Sequence, residues 1–99
     1  VSTELESKLE IDIVQYCNSQ KILCEKLKLA SQSGWPDRTL MYKGSVMFLE
    51  LKKQGEKPKP LQAYTMERLM LRGFRAQWAD NYELATKLIK DWKSYVDNR

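Results

Sequence analysis

The stretch Gly34-Trp35-Pro36-Asp37-Arg38-Thr39-Leu40-Met41-Tyr42-Lys43-Gly44-Ser45-Val46-Met47-Phe48-Leu49-Glu50-Leu51-Lys52 decides the fold. Asp37 to Tyr42 and Val46 to Lys52 both read as strands, and Lys43-Gly44 between them suits a two-residue hairpin turn. If Tyr42 pairs with Ser45, Asp37 falls directly opposite Glu50, and longer loops with the same centre keep that pairing. Carboxylates so placed have Cβ atoms about 4.5–5.5 Å apart and repel unless something cationic lies between them. Glu50 and Lys52 are two apart on one strand and share a face, while Leu49 and Leu51 point the other way into a core. One face of one hairpin is therefore expected to hold acid, acid and lysine.

On the N-terminal side, Thr3 to Asn18 reads as a helix with an apolar stripe of Leu5, Leu9, Ile13, Tyr16 and Cys17. Glu6 falls inside that stripe and Glu10 at its rim. An acid on a buried face is costly unless paired or bound to a cation; the alternative is a partly exposed Glu6 at the stripe edge. Ile22 to Leu29 alternates as a half-buried strand, with Leu23, Leu27 and Leu29 on one face and Lys26 and Lys28 on the other.

On the C-terminal side, Lys53 to Pro60 is a Lys/Pro/Gly-rich connector. Pro60 starts a helix that runs to Arg72, with Gly73 just past its end. Phe74 to Ala79 alternates as a fourth strand. Asp80-x-x-Glu83 reads as a capping box for a last helix whose broad face is Leu84, Ala85, Leu88, Ile89, Trp92, Tyr95 and Val96. The order αβββαβα pairs an antiparallel hairpin with a helical crossover. The expected fold is α/β, a small mixed sheet flanked by helices.

Ninety-nine residues suit one domain spanning residues 1–99. No apolar run approaches the roughly 20 residues that span a bilayer, and no signal-peptide pattern stands at Val1, so the expected location is cytoplasmic with no membrane partner. Cys17 and Cys24 lack CxxC spacing and read as reduced, partly buried thiols. Histidine is absent, which removes Ser-His-Asp and Cys-His catalysis and His-ligated zinc. The net charge is +4, but the positives concentrate: Lys52, Lys53, Lys57, Lys59, Arg68, Arg72 and Arg75 outnumber Glu56 and Glu67. A basic middle suits a phosphate backbone, or is a solvated loop and helix face.

Gly34-Trp35-Pro36-Asp37-Arg38, Leu49-Glu50-Leu51-Lys52 and Gly55-Glu56-Lys57-Pro58-Lys59-Pro60-Leu61-Gln62 together resemble the phage-type branch of the virus-type replication-repair nuclease (VRR-NUC) domains, within the PD-(D/E)XK nuclease superfamily. The likeness runs from about residue 6 to residue 79. It departs at Trp35, where a smaller apolar residue is usual, and from Tyr82 to Arg99, which match no motif.

The resemblance implies a PD-(D/E)XK-like core in which Asp37, Glu50 and the Leu51 carbonyl bind Mg²⁺ or Mn²⁺. A first-helix glutamate would complete the shell, Glu6 by the stripe argument, with Glu10 in reserve. Lys52 would orient or deprotonate the attacking water, and Gln62 would fix Lys52 or the substrate. Lys53, Lys57 and Lys59 would grip phosphates. The expected activity is metal-dependent hydrolysis of branched DNA such as four-way junctions, by a homodimer encoded in a phage or prophage of a bacterial host. The alternative is a non-catalytic nucleic-acid-binding module that keeps the carboxylates as a structural cation site. Hard oxygen ligands and a compact lysine charge suit phosphodiester hydrolysis without histidine. Trp35 either stacks on a base or fills core; Trp92 and Tyr95 serve core or interface.

Overall fold

The computed structural model describes residues 7–27 and 34–99. The elements follow the expected order: α1 (Lys8–Ser19), β1 (Leu23–Glu25), β2 (Arg38–Tyr42), β3 (Ser45–Leu51), α2 (Pro60–Leu71), β4 (Arg75–Ala79) and α3 (Tyr82–Asp97). The expected helix start at Thr3 and the strand end at Leu29 lie outside the described residues. The four strands form one sheet in the order β1-β2-β3-β4. The first two pairings are antiparallel; β3 and β4 run parallel across the α2 crossover.

The hairpin register is the expected one. Tyr42 pairs with Ser45 and Arg38 with Leu49. Lys43 and Gly44 both adopt positive φ, 49° and 79°, as a type I′ turn requires. The alternation of β3 then sorts its side chains between two layers. Met47 and Leu49 pack with Ile13 and Cys17 of α1 and with Ala85, Ile89, Trp92 and Val96 of α3. Val46 and Phe48 face the other way, onto Met66 and Leu69 of α2, with Trp35 and Trp78 beside them.

Trp92 is buried, and its indole N–H donates to Ser45 Oγ at 3.2 Å. Tyr95 is 59% exposed. Trp35 meets Phe48 edge to face at 5.5 Å, so it packs on the smaller core. Cys17 and Cys24 are free and buried; their mutual hydrogen bond, and then burial, push the Cys17 thiol up.

Two local expectations are corrected. In β1 the core face is Ile22 and Cys24, while Leu23 and Leu27 are 54% and 46% exposed. Cys24 pairs with core residue Leu40 and so faces α1, whereas α2 packs over β4 at the far edge and leaves Leu23 uncovered. At the start of α3 the cap is Asn81, not Asp80: Leu84 N–H donates to Asn81 Oδ1 at 2.8 Å. Asp80 instead accepts Gly55 N–H at 2.9 Å and pins the connector.

The end of α1 is a Schellman motif. Lys21 N–H donates to Asn18 O and Ile22 N–H to Cys17 O, with Lys21 at φ 61°. α1 and α3 start at one end of the sheet and finish at the other, because both border the same cleft with their first residues.

Asn81→Ala should lower stability by about 1 kcal/mol, the usual cost of losing an N-cap. Glu83→Ala should cost less in the same thermal melts. Equal losses would show that Asn81 does not cap α3.

Candidate metal and phosphate site

The β2–β3 ladder ends at Arg38 and Leu49, and side chains carry the pairing one step further. Asp37 N–H donates to Glu50 Oε1 at 3.2 Å, and Leu51 N–H donates to Asp37 Oδ2 at 2.9 Å. Each carboxylate thus holds the backbone of the opposing strand. Pro36 lacks an N–H and cannot extend the ladder by the usual bonds. The Leu51 carbonyl leaves β3 on the same edge as its N–H, as in any extended strand, and therefore points toward Asp37.

Glu50 is only 2% exposed. Burial, then the neighbouring Asp37 charge, raise its carboxyl to about 7, against the pull of Lys52 and of the Asp37 N–H. Lys52 Nζ lies 3.5 Å from Glu50 Oε2, and its side chain is 13% exposed. The Lys52 main chain is tied to β4 through Lys52 N–H and Ala79 O at 2.9 Å. Acid, acid and lysine stand together as the alternation required.

The site opens on a cleft of about 570 Å³ whose lining includes Glu10, Asp12, Asp37, Lys52, Lys53 and Asp80. Ser7 and Asn81, the N-caps of α1 and α3, also border it, so the positive ends of two helix dipoles face inward.

Glu6 lies outside the described residues. Glu10, expected at a rim, is buried, and its Oε2 accepts Arg38 Nε–H at 2.8 Å. Sequence reasoning missed this pair. Its signal was parity: Arg38 alternates with Asp37 and so turns to the α1 face. Gln62 is half-buried and spends Oε1 on Lys59 N–H at 2.8 Å, closing the first turn of α2. Gly34 sets the approach of the Trp35-Pro36-Asp37 segment to that turn. Its φ is 84°, and a Cβ there would stand 2.8 Å from Leu61 Cγ.

The three connector lysines separate. Lys53 borders the cleft; Lys57 lies with Pro58 over Met66 and Trp78; Lys59 is the exposed N-cap of α2.

Among the described residues no group of three or more Asp, Glu, Cys or His converges on one point. Asp37 and Glu50 converge as a pair, with the Leu51 carbonyl as the third oxygen. This donor set fits a hard divalent cation, because two carboxylates and a carbonyl are what Mg²⁺ takes while keeping several waters. An acid-rich cleft also needs cations before a polyanion can enter.

No family model matches the sequence, and no curated protein does. A solved structure described as a "VRR_NUC domain" superposes with a TM-score of 0.77 at 26% identity, over 84% of this chain and 91% of that one. The chain has the VRR_NUC fold. The mixed four-stranded sheet between α1/α3 and α2 is thus a nuclease-family architecture, and the Asp37–Glu50–Lys52 cluster stands at one end of its central strand β3.

The raised Glu50 carboxyl gives a signed stability effect in the metal-free protein. Between its ordinary value and about 7, folded Glu50 binds a proton that the unfolded chain releases. Stability in chelator should therefore fall as pH rises from about 4.5 through about 7. Glu50→Gln should flatten that part of the Tm profile; a profile identical to wild type would place the titration elsewhere.

Proposed function

We propose that this chain is a metal-dependent, structure-specific DNA endonuclease that hydrolyses phosphodiester bonds in branched DNA, four-way junctions foremost. The observation that carries the reading is the cross-strand bonding of Asp37 and Glu50 with Lys52 Nζ 3.5 Å from Glu50. The likeness to a VRR_NUC domain supports it.

Asp37, Glu50 and the Leu51 carbonyl would hold Mg²⁺ or Mn²⁺, with Glu6, or Glu10 through water, completing the shell. A bound divalent cation supplies Lewis acidity, lowering the pKa of water and absorbing charge on phosphate oxygens. Lys52, nearly buried beside Glu50, orients the attacking water and offsets charge on the scissile phosphate. Gln62 braces the turn of α2 behind Gly34 and so positions the Pro36-Asp37 segment. Lys53 reaches phosphates at the cleft mouth, and Lys57 and Lys59 extend that grip along the connector. The protein acts in the cytoplasm of a bacterium carrying the phage or prophage that encodes it.

Two opposed cuts in a four-way junction need two sites related by a two-fold axis. The surface for such pairing is the open edge of β4, beside which Leu71, Phe74 and Tyr95 are exposed. A non-catalytic DNA-binding module is the second reading. Lys52 argues against it, since a purely structural cation site needs no positive residue at its carboxylate.

Cleavage of labelled linear, flap and four-way DNAs with Mg²⁺, Mn²⁺ or EDTA tests the assignment. Asp37→Asn should abolish cutting. Lys52→Met should lose about 10²–10⁴-fold in turnover, the usual range for a proton-transfer group, while still binding DNA. Binding and cleavage that fall together in Lys52→Met would reduce Lys52 to a backbone contact. Light scattering should report about twice the 11.7 kDa chain mass. A monomer that cuts one strand of a flap would overturn the resolvase assignment and leave a nuclease.

A further inference from the structure

At the opposite end of β3 from Glu50, the two helix C-termini and the hairpin turn enclose a second pocket lined by Ser19, Gln20, Lys21, Tyr42, Lys43 and Lys93. Three lysines line it, and two of them, Lys43 and Lys93, share one acid beside it, Asp97. Asp97 accepts Lys43 Nζ at 2.9 Å and Tyr42 OH at 2.7 Å on Oδ1, and Lys93 Nζ at 3.4 Å on Oδ2. Arg99 adds a further positive group, its Nη2 donating to the Lys43 carbonyl at 3.1 Å. The pocket keeps a surplus of positive charge beyond its ion pairs with Asp97.

Backbone conformation is the second observation. Lys21 and Lys43 are the only non-glycine residues with positive φ among the described residues, at 61° and 49°, and both line this pocket. Each occupies a position where glycine or asparagine is the unstrained choice. Lys21 is the residue just past the C-cap of a Schellman motif, and Lys43 is the first central residue of a type I′ turn. Lysine brings backbone strain to both positions, and of the two only Lys43 has an ion pair, the exposed one with Asp97. What the two positions share is the pocket.

We propose that this pocket is a second phosphate-binding site, in which Lys21, Lys43 and Lys93 hold a phosphodiester of the DNA whose cleavage occurs at Asp37 and Glu50. The inference rests on the nuclease reading. Ser45 and Glu50 are five residues apart on β3, so the two sites are separated by roughly 17 Å, about five base-pair steps of duplex axis. α1 and α3 connect them, with their N-termini at the cleft and their C-termini at the pocket. A duplex arm that reaches both sites is anchored at one end and cut at the other.

Binding of duplex DNA in EDTA, measured across a salt series, tests the site in wild type, in the double variant Lys21→Asn/Lys43→Asn and in the charge-matched control Lys87→Gln/Lys90→Gln. The asparagine variant should melt close to the wild-type temperature, because asparagine suits both backbone positions and offsets loss of the exposed Lys43–Asp97 pair, which is worth little. It should bind more weakly, with a slope of log affinity against log salt shallower by about 0.9 for each phosphate no longer neutralised. The control should keep the wild-type slope. An unchanged slope in the asparagine variant, or an equal change in the control, overturns the site while leaving the nuclease reading intact. A variant that loses stability along with binding also overturns it, since the lysines would then be holding the helix ends. Wild-type protein that does not bind DNA overturns both.

Discussion

The reciprocal hold between Asp37 and Glu50 is the constraint on which the cleft end of this molecule depends. Each carboxylate takes a backbone N–H from the other strand, so the hairpin stays paired one step past its ladder, where Pro36 would otherwise end it. The same step forces two acids together, one of them almost fully buried, and a buried charge is tolerated only when paired or neutralised. Lys52 supplies part of that compensation. Burial and the Asp37 charge still raise the Glu50 carboxyl against the pull of Lys52, and a divalent cation between the two acids would relieve that repulsion.

The rest of the fold serves to keep that corner in place. Parallel pairing of β3 with β4 makes β3 internal, and Lys52 N–H bonded to Ala79 O fixes the lysine's main chain just past the last paired residue of β3. α1 reaches the corner through the buried Glu10–Arg38 pair. Arg38 alternates with Asp37, so the residue just before β2 meets Glu50 while the first residue of β2 anchors α1. α2 reaches it from the other side, where Gly34 lets the loop press on Leu61 and Gln62 closes the turn.

Much of this was legible in the sequence because it follows from period and turn chemistry. Lys43-Gly44 fixes the turn, the turn fixes the register, and the register brings Asp37 to Glu50 without any tertiary information. What escaped was set by neighbours. The buried face of β1 could not be read from its leucines, since the deciding fact is that α2 covers β4 and not β1. The apolar stripe alone puts Glu10 at a rim; its partner, Arg38, lies 28 residues away in the chain. The cap of α3 shifted by one residue because Asp80 was already taken by Gly55. Lys57 and Lys59 share a connector with Lys53 but not its cleft, a difference decided by how the loop folds back on Trp78.

Calorimetric titration of Mn²⁺ into the apo protein at pH 7 tests the central claim most directly. One ion per chain should bind, with proton release visible as a heat that varies with buffer ionisation, because a carboxyl raised to about 7 must give up its proton to become a ligand. Glu50→Gln should lose both the binding and the proton release. Undiminished Mn²⁺ binding in Glu50→Gln, or binding without proton release in wild type, would contradict the account.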